Sequence, residues 1–405
     1  MEKESTAAPG EARMGWSLLV LLLLQSAMLQ LGMQLARVNT TYAAIEIKLP
    51  VVWIGVITAS YALFPAIAAM QIGRFSDRRG DTVALMVGTA LSFIGCAGLW
   101  LLPTAIWPLI VFNTLLGLGQ TFCMTGQQSF SGRRAGPAQR DSVFGYYMLS
   151  LSLGQALGPI VLSVLSKGAD LPPVKDVFFF TAVFSIVSVA ISFMLYRRAG
   201  SGRSEHAHEP MPLGELVKVK GLVAMAMASA LVVTAMDLTI VYLPLIGTER
   251  GIDASMIGYM LTMRGFGSIL ARASYSSLVR VLGRIRLMYL VMLGAMLALL
   301  VVALPVPVWL LFLAVSSSGF FLGIAITASL TTLVDIAPDD ARGAALAIRQ
   351  TCNRLGQFFT PMVVSLVAAL TGAGGIFVVT ALAVGISGAV AERSLRQRRD
   401  PARAA

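Results

Sequence analysis

The chain has 405 residues, of which 57% are hydrophobic and only 13% are charged, and its formal net charge is +11. Because a soluble domain usually carries about 25% charged residues, this composition excludes a soluble enzyme, and so much apolar sequence excludes a disordered chain. The three cysteines, Cys96, Cys123 and Cys352, lie in apolar runs, and the two histidines, His206 and His208, lie in one polar stretch. A disulfide scaffold is therefore excluded, and the predicted membrane spans lack the histidines that zinc binding or histidine-based catalysis would need.

Twelve apolar stretches are long enough to cross a bilayer core of about 30 Å as helices. Numbered as spans 1 to 12, they cover residues 16–38, 51–72, 82–102, 107–127, 143–166, 176–196, 221–246, 255–278, 285–304, 308–332, 343–369 and 374–391. Short connections with turn residues, such as Leu102-Pro103, separate most of them. The sequence predicts an all-α membrane protein, and its N-terminus, which has no A-x-A-like cleavage site, is predicted to be a cytoplasmic tail.

The connection 197–220 is longer than the others and is rich in polar residues, glycine and proline. It predicts a boundary between an N-terminal six-helix half, residues 1–196, and a C-terminal half, residues 221–392. Residues 197–220 would then form a central cytoplasmic linker, and residues 393–405 a basic cytoplasmic tail.

Positive charge is distributed unevenly between the two ends of the predicted spans. With both termini inside, most lysine and arginine residues fall on the inner side, and the outer connections hold only Lys48, Lys167, Lys175 and Arg250. Cytoplasmic connections of membrane proteins carry an excess of Lys and Arg, so both termini are predicted to be cytoplasmic. The basic tail is interpreted as a topology anchor in contact with anionic lipid, and nucleic acid is not an expected partner.

Several residues of the first half recur in the second half at an offset of 202 or 203 positions. The pairs are Gly55 with Gly258, Gly80 with Gly283, Gln34 with Asp237, Gly117 with Gly319 and Arg140 with Arg342. Two tandem six-helix units with the same orientation are related by an axis along the membrane normal. Transporters built in this way hold substrate near mid-depth, at the interface of the repeats.

The segment after span 2 reads Gly73-Arg74-Phe75-Ser76-Asp77-Arg78-Arg79-Gly80. It resembles motif A of the major facilitator superfamily, G-x-x-x-D-R-x-G. The resemblance implies two pseudo-symmetric six-helix bundles, with spans 3, 6, 9 and 12 facing lipid. It also implies that a cytoplasmic hairpin latches the two halves, a role that would fall on Gly73, Asp77, Arg78 and Gly80. In the equivalent segment of the second half, Arg280 stands in place of the aspartate, so only one latch is complete.

Span 5 carries Gly154, Gly158 and Pro159, which resemble the antiporter motif (motif C) of the drug/proton antiporter branch. Small residues four positions apart also allow ordinary close helix packing, which is the plainer interpretation. Two departures from the branch stand out. Leu162 and Ser163 replace its following glycine pair, and Asn113 occupies the position where its span-4 motif has arginine, four residues before Gly117.

Ionisable groups inside a membrane are costly and usually functional. Asp237 in span 7 is the only acid deep in a span, and Arg264 and Arg354 lie close to mid-depth. Arg37 is expected near the outer end of span 1, as a gate or an interface anchor. We expect a polar central cavity lined by Asp237, Arg264, Arg354, Arg37, Gln34, Gln30, Asn113, Asn353 and Gln357, with Gln120 nearby. The alternative is that Asp237 and one arginine form a purely structural pair.

These features favour a secondary active transporter that works by alternating access. The leading hypothesis is proton-coupled efflux of a small organic or amphiphilic compound, with the proton gradient as driving force and no cofactor or metal. The alternative is uptake or exchange of a small organic anion bound by the intramembrane arginines. The spans contain no phosphate-binding loop and no histidine–acid cluster, so an enzyme is not expected. The protein is expected to act as a monomer, as a multi-pass protein of a bacterial inner membrane.

Overall fold

The computed structural model describes residues 14–135, 139–201, 219, 221–336 and 342–399, and over these residues the chain forms twelve long helices joined by short turns. They are α1 (Trp16–Glu46), α2 (Val51–Arg79), α3 (Asp81–Leu101), α4 (Ile106–Arg134), α5 (Arg140–Ser166), α6 (Val174–Ala199), α7 (Leu222–Glu249), α8 (Ala254–Leu282), α9 (Arg284–Ala303), α10 (Val308–Ile336), α11 (Arg342–Thr371) and α12 (Ala373–Arg399). The predicted all-α architecture is confirmed.

Eleven of the helices are long and apolar enough to cross a membrane within the described part of the chain. The exception is α8, which has 29 residues and therefore sufficient length. Its hydropathy is lowered by Arg264, Arg272 and several serines. Helix α8 therefore falls short of the hydropathy of an apolar span because it carries charged residues within its length.

Several helices run past the predicted spans, and α1 shows why this matters. The chain stays helical through the polar residues after Val38, where the Thr40 hydroxyl donates to the Ala36 carbonyl oxygen at 2.7 Å. The helix ends at Glu46, just before Lys48 adopts a positive φ of 53°. The expectation that Arg37 lies near the outer end was therefore wrong, because nine further residues, about 13 Å of helix, follow it.

The predicted hairpin between spans 2 and 3 is also different from the expectation. Residues 73–79 form the last two turns of α2, and only Gly80 separates α2 from α3. Gly80 has a φ of 108°, which side-chain-bearing residues rarely adopt, and its equivalent Gly283 has a φ of 73°. A methyl group on Gly80 would also collide with the Ser201 carbonyl, so the end of α6 packs directly on this turn.

Equivalent glycines make equivalent contacts in the two halves. A methyl group on Gly117 of α4 would collide with the Tyr61 carbonyl oxygen on α2. A methyl group on Gly319 of α10 would collide in the same way with the Arg264 carbonyl oxygen on α8. The predicted pseudo-symmetry of the two bundles is thus present in the helix packing.

The two halves meet closely at the end of the molecule where α2 and α8 begin, the outer end by the charge pattern. Gly55 of α2 faces α11, where a methyl group would lie 2.8 Å from the Pro361 carbonyl oxygen. Gly258 of α8 faces α5, where a methyl group would lie 2.7 Å from the Pro159 carbonyl oxygen. These crossings close the outer side of the interface between the halves.

Helices α3, α6, α9 and α12 present large apolar side chains to the surroundings. Examples are Ile94, Phe179, Ile186, Leu297 and Ile386. This agrees with lipid-facing positions for the four helices. Most of the linker 197–220, with His206 and His208, and residues 400–405 of the basic tail lie outside the described residues, so the predicted boundaries at 196, 220 and 392 stay predictions.

Candidate functional site

The centre of the molecule contains an ion pair between the halves. Arg37 of α1 donates through Nη1 to Oδ1 of Asp237 on α7, at 2.7 Å. The side chains are only 10% and 13% exposed, so both charges are largely removed from solvent. A pair buried to this degree costs desolvation energy, and loss of one partner leaves an uncompensated charge. It therefore responds strongly to any change in the charge of either partner.

The other carboxylate oxygen of Asp237 extends the network to α11 and α4. Gln357 donates through Nε2 to Asp237 Oδ2. Arg354 donates to Oε1 of Gln357 at 3.2 Å and to the Thr121 hydroxyl of α4 at 3.3 Å. The chain of contacts crosses between the halves twice, once at Arg37 and once at Thr121. Thr121 is not among the residues that the sequence predicted for the cavity.

Arg37 is also held by an aromatic ring. Its guanidinium carbon lies 4.8 Å from the ring centroid of Tyr61 on α2, a cation–π contact. Asn113 of α4, expected to line the cavity, donates to the Ile57 carbonyl oxygen of α2. Both contacts are within the N-terminal half, where α2 holds Arg37 through Tyr61 and is itself bonded to α4 through Asn113.

Arg264 is buried beside the ion pair but does not contact the carboxylate. Its Nη2 donates to the Met236 carbonyl oxygen at 2.8 Å, and its Nε has no hydrogen-bond partner among the described residues. It is 4% exposed, and Arg354 is 5% exposed. Among the described residues the centre therefore contains three arginines and one carboxylate, and its balance of charge is positive.

A second polar cluster lies on α1 and α4. Gln120 donates to the side chain of Gln30 at 3.1 Å, and Gln127 donates to the side chain of Gln25 at 2.7 Å. The Tyr147 hydroxyl of α5 donates to Gln127 at 3.0 Å. Gln25 and Gln127 were not predicted. Gln127 could have been found from the seven-residue spacing of glutamines on α4, which places Gln120 and Gln127 on one face.

The remaining predicted cavity residues are buried without completing the ion-pair network. Gln34 packs against α5, where a methyl group on Gly158 would lie 3.1 Å from its Cβ. Asn353 is 5% exposed, and its Oδ1 has no partner among the described residues. Asn353, the neighbour of Arg354 in the chain, therefore adds an unsatisfied polar atom.

The motif-A aspartate has a partner in its own half. Asp77 accepts from Arg133 of α4 at 2.6 Å, and the side chains are 50% and 26% exposed. At the next turn, Asp81 is fully buried and lies 3.8 Å from Arg134. Thr82 donates to the Gly200 carbonyl oxygen at 2.7 Å. These contacts tie α2, α3, α4 and the end of α6 together at the inner end.

The glycines of the span-5 motif face α1. A methyl group on Gly154 would collide with the Ala27 carbonyl oxygen, and one on Gly158 would lie 2.8 Å from the Leu31 carbonyl oxygen. Pro159 follows inside the helix, where its carbonyl meets Gly258. Small residues here allow α5 to pack closely against both α1 and α8.

Known proteins share this architecture over nearly the whole chain. The structure of a bacterial homolog of the human lysosomal transporter Spinster, inward-facing and unoccupied, aligns with a TM-score of 0.73 and 14% identity, over 93% of this chain and 97% of the other. The nucleoside transporter NupG aligns with a TM-score of 0.75 and 12% identity, over 93% and 99%. At such identity the likeness concerns the fold alone.

Sequence relatives are distant. An uncharacterized MFS-type transporter of Methanocaldococcus jannaschii is 22% identical over 81% of this chain and 85% of its own length. Multidrug resistance protein MdtG of Dickeya zeae is 26% identical over 85% of each chain. The tetracycline resistance protein, class B, of Escherichia coli is 30% identical over 37% of this chain and 36% of its own.

The profile of the Major Facilitator Superfamily matches residues 12–235 and again residues 225–405, once for each half. Together with the twelve helices and their repeated packing, this match shows that the chain is a multi-pass membrane transporter of the Major Facilitator Superfamily and not an enzyme.

Proposed function

We propose that this transporter exports a small organic or amphiphilic compound in exchange for protons, with Asp237 as the group that carries the proton. The observation that carries the proposal is the Arg37–Asp237 ion pair, which joins α1 of one half to α7 of the other at 2.7 Å. Several distant relatives are named as multidrug or tetracycline resistance proteins, which supports an efflux role.

The ion pair supplies a mechanism for coupling. A proton on Asp237 removes the negative charge that holds Arg37, so the attraction between α1 and α7 weakens and the halves are free to rearrange. Loss of the proton restores the pair. A ligand can shift this equilibrium only if it interacts differently with the two states. A substrate that engages Gln357 or Arg37 after their release would meet this condition.

A second function, uptake or exchange of a small organic anion, is favoured by a different observation. Arg264 and Arg354 are buried, and their hydrogen bonds within the described residues go to neutral oxygens of Met236, Gln357 and Thr121. An anionic group would compensate these charges. Two arginines from α8 and α11 would then form the anion site.

The sign of linkage between substrate and proton separates the two functions. A cation in this centre competes with the proton for the carboxylate, whereas an anion is bound more readily once Asp237 is neutral. By reciprocity, each ligand changes proton affinity in the same sense as protons change its own affinity. Tighter binding at low pH would thus indicate an anion, and weaker binding a cation.

A thermal-shift screen followed by transport tests the proposal. Purified protein is screened against ethidium, tetracycline and benzoate, because a ligand that binds the folded state raises its stability. Compounds that bind are then assayed in proteoliposomes with and without an imposed pH gradient. Accumulation that depends on the gradient supports proton coupling. Benzoate binding with transport that ignores the gradient would replace efflux by anion exchange.

A further inference from the structure

A small cavity lies just outward of the central ion pair. It is lined by residues of α1, α2, α4 and α7, among them Arg37 itself, and has a volume of about 10 Å³. This is close to the smallest volume that can hold one water molecule. The polar lining residues are Arg37, Thr40, Thr41, Thr58, Tyr61 and Asn113.

The cavity lies next to Asp237 along helix α7. Val241, which also lines it, follows Asp237 by four residues on α7, so the two side chains lie on one face, one helical turn apart. Arg37 touches the cavity and the carboxylate together. The other lining residues, such as Thr41 and Ile54, lie toward the ends of α1 and α2 that face outward.

The lining chemistry suits water. Thr40 and Thr58 donate their hydroxyl protons to carbonyl oxygens of their own helices, each at 2.7 Å, which leaves the oxygen lone pairs as acceptors. Arg37 offers further N–H donors. A buried water needs two to four polar partners, and these side chains provide them.

We propose that this cavity holds water and is the route by which protons from the outer side reach Asp237. The proposal rests on the proposed proton-coupled function. A cavity that holds one water molecule is too small for an organic substrate, but it can conduct a proton. The helix crossings at Gly55 and Gly258 meanwhile keep the outer side closed to the substrate. In an exporter driven by inward proton flow, such a path has to start on the outer side.

The charged and titratable groups that face Asp237 are contributed by four neighbouring helices. They are Arg37 of α1, Tyr61 of α2, Arg264 of α8 and Arg354 of α11. Helices α10 and α12, which also pack on α7, place no charged side chain there away from their inner ends in the described part of the chain. Over the described residues, Asp237 is therefore the one carboxylate in this surrounding.

Water in the cavity is tested first without any ligand. Hydroxyl radicals produced from ordered water by a brief X-ray pulse label adjacent side chains. Tyr61, which lines the cavity and is 6% exposed, should be labelled rapidly, whereas Tyr242, which is fully buried and is not a lining residue, should not. Labelling of Tyr61 should fall in Thr58→Val, which removes one hydroxyl at constant size. If Tyr61 is labelled no faster than Tyr242, the cavity is dry and the proposal is overturned.

The proton route is tested by the side from which Asp237 is reached. In proteoliposomes of uniform orientation, infrared spectroscopy follows the protonated carboxyl band that is lost in Asp237→Asn. After acidification of the outer side, the band should appear about tenfold more slowly in Thr58→Val than in wild type, which corresponds to about 1.4 kcal/mol in barrier. Acidification of the inner side should give equal rates. The control is Thr89→Val on α3, whose hydroxyl donates to its own helix at 2.9 Å far from the cavity.

The outcomes separate the two proposals. Equal rates in Thr58→Val and wild type after outer acidification would overturn the proton route while leaving proton coupling intact. Equal slowing from both sides would also overturn it, because it would mean a general disturbance of the site. The absence of any Asp237 band in the wild type from either side would instead overturn Asp237 as the proton carrier, and the route with it.

Discussion

Tyr61 of α2 and Arg264 of α8 occupy equivalent positions in the two repeats, and the carbonyl group of each is covered by a glycine of the neighbouring helix. The backbones are thus packed alike, but one half places an aromatic ring toward the centre and the other a positive charge. The centre is therefore symmetric in its scaffold and asymmetric in its charge. Asp237, the repeat equivalent of Gln34, adds to this asymmetry.

The two glycines of this packing should be sensitive to enlargement. We expect Gly117→Ala and Gly319→Ala each to lower the stability of the folded protein by about 1–3 kcal/mol, because the added methyl group collides with a backbone carbonyl that cannot move aside. The measurement is thermal unfolding in detergent. Gly145→Ala is the control, since no atom of the described residues lies within 4 Å of the position where its methyl group would be. Equal unfolding temperatures for all three variants would mean that the crossings are looser than the structure indicates.

The motif-A pair should matter for transport more than for stability. Asp77→Asn removes the ion pair with Arg133. The Asp77 side chain is half exposed and the Arg133 side chain about one-quarter exposed, and such pairs contribute about 0–1 kcal/mol to stability. We expect expression and unfolding temperature to stay unchanged while transport falls. Arg74→Gln, an exposed change on the same helix, serves as control. Wild-type transport rates in Asp77→Asn would remove the proposed latch role.

The buried arginines should discriminate between ligands by charge. If Arg264 and Arg354 face the substrate, Arg264→Gln and Arg354→Gln should each weaken binding of benzoate far more than binding of a neutral compound. Loss of a charge-assisted hydrogen bond costs about 1.5–3 kcal/mol, or roughly 10- to 100-fold in affinity. The measurement is titration by intrinsic fluorescence, with Arg272→Gln near the inner end of α8 as control. Similar losses for charged and neutral ligands would indicate a structural role for both arginines.

Much of the fold could be predicted from the sequence because the bilayer imposes a simple length and hydropathy rule on each helix. The central site could be predicted only in part. Asp237 was identified from its depth in an apolar span, but its partner Arg37 was expected near the outer end of span 1, because that span was predicted to end at residue 38. In fact, α1 continues to Glu46, since threonine hydroxyls bond to carbonyls of their own helix.

Contacts between side chains of different helices could not be predicted from the sequence. Thr121 is an unremarkable residue in α4, and only the packing of α4 beside α11 brings its hydroxyl to 3.3 Å from Arg354. The motif-A segment shows the same limit. Its residues were recognised, but their helical conformation up to Arg79 depends on the turn at Gly80 and on the Ser201 carbonyl packed against it.

The central claim is that Asp237 carries the coupled proton, and Asp237→Asn in proteoliposomes tests it most directly. Asparagine keeps the shape of the side chain and cannot titrate. The variant should no longer concentrate substrate when a pH gradient is imposed, yet it should bind ligand and exchange substrate for substrate at a rate near that of wild type. Asp335→Asn, which alters an exposed acid paired with Arg284 at the inner end, should retain gradient-driven transport. Concentrative, proton-driven transport by Asp237→Asn would contradict the account.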